Sequence, residues 1–274
     1  MRVLLIILSL MLVSCMSVYS ADMALYVGMP NEGWYKPDKM KADADKIVAN
    51  VKSLFKEVKT FDDKALKDLQ AWAEKNLKDG ELDIIWLNGC MPSVLYPNPN
   101  KMPDGSLAEE WLKNGNMFIN VADWFAYCTY ETGARGADNA AAGAENILNL
   151  PGIIRFGDNT KLTITADGKK YIPSLGNEMI TDRPVVGGAV KAPWKVAAVF
   201  GGKADGDMDP CVLHNTSTNG YMVFINQATD AHTVDRAQAT IEFVKNWVGD
   251  ALKLLTPVEP VKSLPALWGE LKSQ

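Results

Sequence analysis

Several side chains in this sequence have the chemistry to hold or transform a polar ligand, and they fall at the ends of apolar runs. Glu32 and Asp123 are carboxylates of the kind used as general acid and base. Trp34 and Trp124 offer ring faces for stacking, and Asn88 and His232 add an amide and an imidazole. Asn31, Tyr35, Asp62, Asp63, Gln227 and Asp230 stand in similar places. The competing reading makes all of them helix caps, satisfied loop residues and core tryptophans. Cys90 follows the apolar run LDIIWL, and three readings stand for it. It is a nucleophile with His232 or His214 as base, an inert buried thiol, or the disulfide partner of Cys128. His214 lies inside a predicted strand, which leaves His232 as the better-placed base.

Metal and cofactor chemistry find little support. Asp205, Asp207 and Asp209 alternate as in the opening of a calcium loop, but Pro210 stands where the loop glycine belongs and Thr216 where its glutamate belongs. The reading preferred is a solvated acidic loop. Two widely separated histidines make a poor zinc set, so no metal and no cofactor is expected.

The elements that must position these groups alternate regularly. Ala24–Gly28 is a short apolar strand with a turn-rich exit, and Asp38–Phe55 has helical spacing through Ala44, Ile47, Val51 and Leu54. EVKTF (57–61) is a second strand, and Asp62-Asp63 caps the helix Lys64–Leu77. Leu82–Leu87 is apolar on both faces, as a covered strand should be. A proline-rich loop, the helix Ser106–Lys113 with its Asn114-Gly115 stop, and the strand Met117–Ala122 follow. This β-α-β-α-β-α-β order predicts a three-layer α/β/α fold with a mostly parallel central sheet. In such a sheet, ligands bind outside the carboxyl ends of the strands.

Later segments are less regular. Residues 133–143, rich in Gly and Ala, read as a loop or weak helix. Residues 155–172 read as a polar hairpin turning at Ala166-Asp167-Gly168, within a polar insertion near 150–190. Trp194–Phe200 is a strand, Cys211–His214 and Tyr221–Asn226 pair across Asn219-Gly220, and Val234–Leu255 is one closing helix.

This order, with LDIIWLNG, then Lys113-Asn114-Gly115, then MFINVAD, resembles the class I glutamine amidotransferase-like superfamily, in particular its ThuA-like members and the middle domains of some glycosidases. The resemblance spans roughly Ala24–Leu255 and implies a flavodoxin-like fold with a sharp elbow at the tip of the central strand. Catalytic members carry a glycine-flanked cysteine at that elbow, followed later by His and Glu. Here the elbow reads Asn120-Val121-Ala122-Asp123-Trp124, with neither motif. Glutaminase activity is therefore not expected.

The start of the chain directs it outward. Met1-Arg2 followed by an apolar run from Val3 to Val13 has the form of a signal peptide, cleaved after Ser20, and the run is too short to span a bilayer. Leu12-Val13-Ser14-Cys15 is also a lipobox-like sequence, so a lipoprotein anchored through Cys15 is the rival to free secretion or a periplasmic location. The expected mature chain is one domain, 21–256, with a Pro-containing tail, 257–274, whose Trp268 docks on its own domain or on a partner, and no transmembrane segment. A formal charge of -5 without a basic run argues against nucleic acid. Oligomeric state is not legible. Two functional classes remain: a non-catalytic module binding a small polar ligand such as a carbohydrate, and a hydrolase or isomerase working through Glu32 and Asp123.

Overall fold

A computed structural model describes residues 21–28, 33–101, 104–136 and 138–255. The signal segment, Cys15, Asn31, Glu32 and the tail with Trp268 lie outside the described residues.

The first half follows the predicted alternation: β1 (Asp22–Tyr26), α1 (Pro37–Val51), β2 (Glu57–Phe61), α2 (Leu66–Asn76), β3 (Ile84–Leu87), α3 (Leu107–Lys113) and β4 (Met117–Val121). The second half holds β5 (Tyr130–Glu131), β6 (Ala134–Arg135), α4 (Ala142–Leu148), β7 (Thr160–Thr163), α5 (Ala166–Tyr171), β8 (Glu178–Thr181) and β9 (Val185–Val186). It closes with β10 (Trp194–Val199), β11 (Asp207–Met208), β12 (Cys211–Asn215), β13 (Tyr221–Ile225) and α6 (Arg236–Glu242).

The central sheet has seven strands in the order β10-β12-β13-β4-β3-β1-β2. From β13 to β2 every pairing is parallel, while β12 and β10 add an antiparallel margin. The fold is three-layered α/β with a mostly parallel sheet. Strands β3 and β4 are buried along their whole length, which accounts for their unbroken apolar runs. Helix α1 lays Met40, Ala44, Ile47 and Val51 on the core and packs against α6. On α2 the core face is Leu69, Trp72 and Ala73. Trp72, Trp111, Phe118 and Phe125 form a chain of ring contacts, 5.8, 6.3 and 5.3 Å between successive centroids. Helix α3 starts in a full capping box, with the Ser106 hydroxyl accepting from Glu109 N and the Glu109 carboxylate accepting from Ser106 N.

Three sequence expectations are corrected. There is no hairpin across Ala166-Asp167-Gly168: Thr165 caps α5 there, accepting from Gly168 N at 3.0 Å, and β7 pairs instead with β8. Gly168 is packed so tightly that a Cβ would lie 2.1 Å from the Phe200 carbonyl oxygen. The segment 150–190 is also not merely polar, since Leu162, Ile164, Ile172, Leu175, Met179 and Val185 are buried. The closing helix is not uniform either: α6 is capped by Asp235 and runs on as a π-helix, Phe243–Ala251, which seats Phe243, Val244, Trp247 and Val248. Residues 133–143 divide between the small β5–β6 hairpin and the start of α4.

Candidate functional site

The strand order reverses between β1 and β3, where a doubly wound sheet ordinarily binds its ligand, but here the residues after β3, Asn88, Cys90 and Met91, are buried. Side-chain geometry at these tips is set by one buried amide. Asn120, fully buried in β4, accepts from Gly89 N at 3.0 Å and donates to Asp123 O at 2.7 Å and to Gln227 Oε1 at 3.3 Å. It therefore ties the loops after β3, β4 and β13 together. Gly89 has φ +93°, and a Cβ there would come within 2.5 Å of the Asp123 Cβ. Glycine is required by both counts. The tip of β4 does turn sharply, but the left-handed residue is Ala122, φ 69°, one position before Asp123.

Asp123 is buried, and its Oδ1 accepts from Trp124 N at 2.8 Å. Burial pushes its carboxyl up to about 6, against the pull of the Trp124 N–H and the Arg183 charge. Trp124 meets Phe156 at 4.4 Å and Tyr127 at 5.3 Å between ring centroids, both edge-on. Above these rings lies Arg183, whose guanidinium is 4.6 Å from the Trp34 centroid, 4.8 Å from Trp124 and 4.6 Å from Phe156. It pairs with Asp158 and donates to its neighbour's carbonyl, Asp182 O, at 2.7 Å. Phe156 is 67% exposed, an unusual position for a large ring, and is the ring of this cluster that faces solvent, whereas Trp124, expected to offer a stacking face, is fully buried beneath Arg183, Phe156 and Tyr127.

Beside it, His232 Nδ1 is 3.0 Å from Asp182 Oδ2. Asp182 is buried, which alone would raise its pKa, but the Asn159 and Thr229 N–H groups and His232 together hold it below the usual carboxylate value. The loops carrying Trp34 and His232 are locked by Arg236, which is fully buried, donates to Trp34 O at 2.9 Å and to Ala228 O, and lies 4.8 Å from the Tyr35 ring centroid.

The sequence-derived candidates thus divide. Trp34, Trp124, Asp123 and His232 meet in one region through Arg183 and Asp182. Asn88 is fully buried and spent on the protein itself: its amide donates to Tyr26 O at 3.2 Å and Met40 Sδ at 2.7 Å, and accepts from Cys90 N. Cys90 and Cys128 are buried thiols with sulfurs 3.5 Å apart. The hydrogen bond to Cys128 and burial raise the Cys90 thiol well above its ordinary value, which works against a nucleophile. His214 stacks on Tyr221 at 4.5 Å, in the antiparallel margin. The acidic loop needs correction at two residues: Asp207 lies in β11 and is held by the Arg155 guanidinium, and Asp209 leaves solvent altogether. Asp209 is fully buried, and accepts from the Thr181 hydroxyl at 2.6 Å and from Asn226 N and Gln227 N, each at 2.7 Å. No cluster of three or more His, Cys, Asp or Glu side chains suited to a metal occurs among the described residues.

Sequence reasoning missed Arg183, Asp182 and Phe156. All three come from the segment that lacks a periodic pattern, and none carried a local signal that sets it apart.

No family model matches the sequence, and a search of curated proteins gave no relative. Among solved structures, the β-galactosidase from Bacillus circulans sp. alkalophilus is similar with a TM-score of 0.41 at 12% identity, over 89% of this chain and 33% of that one. The present chain spans about a third of that enzyme's length, and the likeness is too distant to bear on what this chain does.

Proposed function

We propose that this chain is an exported α/β domain of the amidotransferase-like type that binds a small polar ligand without transforming it. The class to test first is carbohydrate, bound at the carboxyl ends of the parallel strands. The observation that carries this reading is the cluster of Trp34, Trp124 and Phe156 around Arg183, with Phe156 turned to solvent. The open Phe156 ring beside the fixed Arg183 guanidinium suits a ligand that has both C–H faces and hydroxyls, with the buried Trp124 supporting that ring from below. A non-catalytic role is supported by the left-handed residue of the β4 elbow, Ala122, which bears no nucleophile. Thermal-shift and tryptophan-fluorescence titrations against mono- and oligosaccharides test it. At least one sugar should stabilise the protein, and Phe156→Ala or Arg183→Ala should remove the effect. Silence across the whole panel refutes the carbohydrate reading.

One observation favours a second reading, a hydrolase or isomerase. Asp123 is buried with its carboxyl pushed up to about 6, a value that suits a general acid near neutral pH. Turnover of chromogenic glycosides that is lost in Asp123→Asn would establish it. Its partner in that reading, Glu32, lies outside the described residues.

A further inference from the structure

We infer that Cys90 and Cys128 are an oxidisable dithiol that closes into an intramolecular disulfide, clamping the loop after β3 to the loop after β4. The two residues are bridge partners in parallel backbone segments, and Met91 N donates to Cys128 O at 2.8 Å. Adjacent strands run about 4.8 Å apart, within the roughly 4.4–6.8 Å Cα separation a disulfide accepts. The sulfurs already touch at 3.5 Å, with both side chains buried. To form the bond the sulfurs must approach by about 1.5 Å, from contact to a covalent S–S distance. Cys211, the remaining described cysteine, lies on β12 and is buried without a cysteine partner among the described residues.

The chemistry balances as thiol–disulfide exchange with a disulfide donor, either a small molecule or a protein. One thiolate of the pair attacks a donor sulfur and expels a donor thiolate, giving a mixed disulfide. The second thiolate then attacks the protein sulfur of that bond and expels the other donor thiolate. Two protein thiols are oxidised, the donor disulfide is reduced to two thiols, and the protein's two thiol protons pass to solvent or to the released donor thiolates. Because both sulfurs are buried, the donor meets them while the chain folds.

The clamp bears on the strand-tip region independently of what binds there. Tyr127 N, one residue before Cys128, donates to Gly89 O at 3.2 Å, and the Tyr127 ring meets Trp124 at 5.3 Å. A bond between the loops therefore fixes the floor beneath Trp124.

The full chain, refolded in a mixture of oxidised and reduced glutathione, is alkylated, digested and mapped by mass spectrometry. The expected result is one linked peptide pair containing Cys90 and Cys128, lighter by two hydrogens than the reduced pair, with Cys15 and Cys211 alkylated. The oxidised protein should melt on the order of 5–10 °C above the reduced protein. Cys211→Ala should keep both results, and Cys90→Ser should lose both. Recovery of Cys90 and Cys128 as alkylated thiols, a link that involves Cys15 or Cys211, or a link without a rise in Tm overturns the inference. Mapping of the wild-type chain decides the link even where a variant fails to fold.

Discussion

Asp209 is the residue whose replacement would test the reading of the buried polar interior most sharply. Its carboxyl joins the polar insertion to the tip of β13 through Thr181, Asn226 N and Gln227 N, and none of it reaches solvent. Burial raises its pKa from 3.8 to about 6, and the hydrogen bonds only partly oppose that. The folded state therefore binds a proton that the unfolded state has released, over the interval between these values. Stability falls as pH rises through that interval, at about 1.4 kcal/mol per pH unit for this one group. The total is about 3 kcal/mol, fully spent above pH 6 and absent below pH 4. At low pH the Thr181 hydroxyl is placed to accept the carboxyl proton while donating to Gln227 O, 3.1 Å away. Asp209→Asn removes the titration but turns one acceptor into a donor, facing a backbone N–H, at a cost of about 1–3 kcal/mol. The variant should be clearly less stable than the parent near pH 4. The difference should shrink or reverse near pH 7.5, changing by about 3 kcal/mol in all. Urea unfolding of both proteins at the two pH values measures this directly, and Asp123, with its own raised pKa, cancels between them. A stability difference that does not change with pH would show that Asp209 ionises normally, and the argument from burial would fail.

Gly89→Ala should destabilise the fold by roughly 2–4 kcal/mol, because it combines a left-handed backbone with a clash against Asp123. Near-UV circular dichroism should report displaced tryptophans in whatever folded population remains, and an unchanged spectrum with unchanged stability would count against the packed loop pair. Ser106→Ala should cost about 1–2 kcal/mol in chemical denaturation, since it removes one half of the capping box and leaves the buried Glu109 carboxylate with less support. A change of only a few tenths would mean that the cap frays in solution.

Much of the sheet was legible because its physical signals are local. The runs IIWL and MFINV are apolar at every position since both faces are covered, and Asn219-Gly220 marks the β12–β13 turn. The helix α1 could be read from Ala44, Ile47 and Val51. Polar residues were harder to place, because residue type alone does not say whether an amide faces a crevice or the core. Asn88 looks like a site residue but is occupied by Tyr26 O and Met40. Asn120 and Asp209 do their work inside, where they hold three chain segments together. The cluster around Arg183 was invisible for a different reason. It joins residues 34, 124, 156 and 183, and no spacing rule connects positions so far apart in the chain.

The sheet ends at β2, with no strand beyond it among the described residues, and that margin carries Glu57 and Lys59 in mutual contact at 3.0 Å. A second molecule aligning its own backbone there would meet an edge strand flanked by charged side chains, which disfavours edge pairing. Charge at this edge works against growth into ribbons of stacked molecules when the chain is crowded.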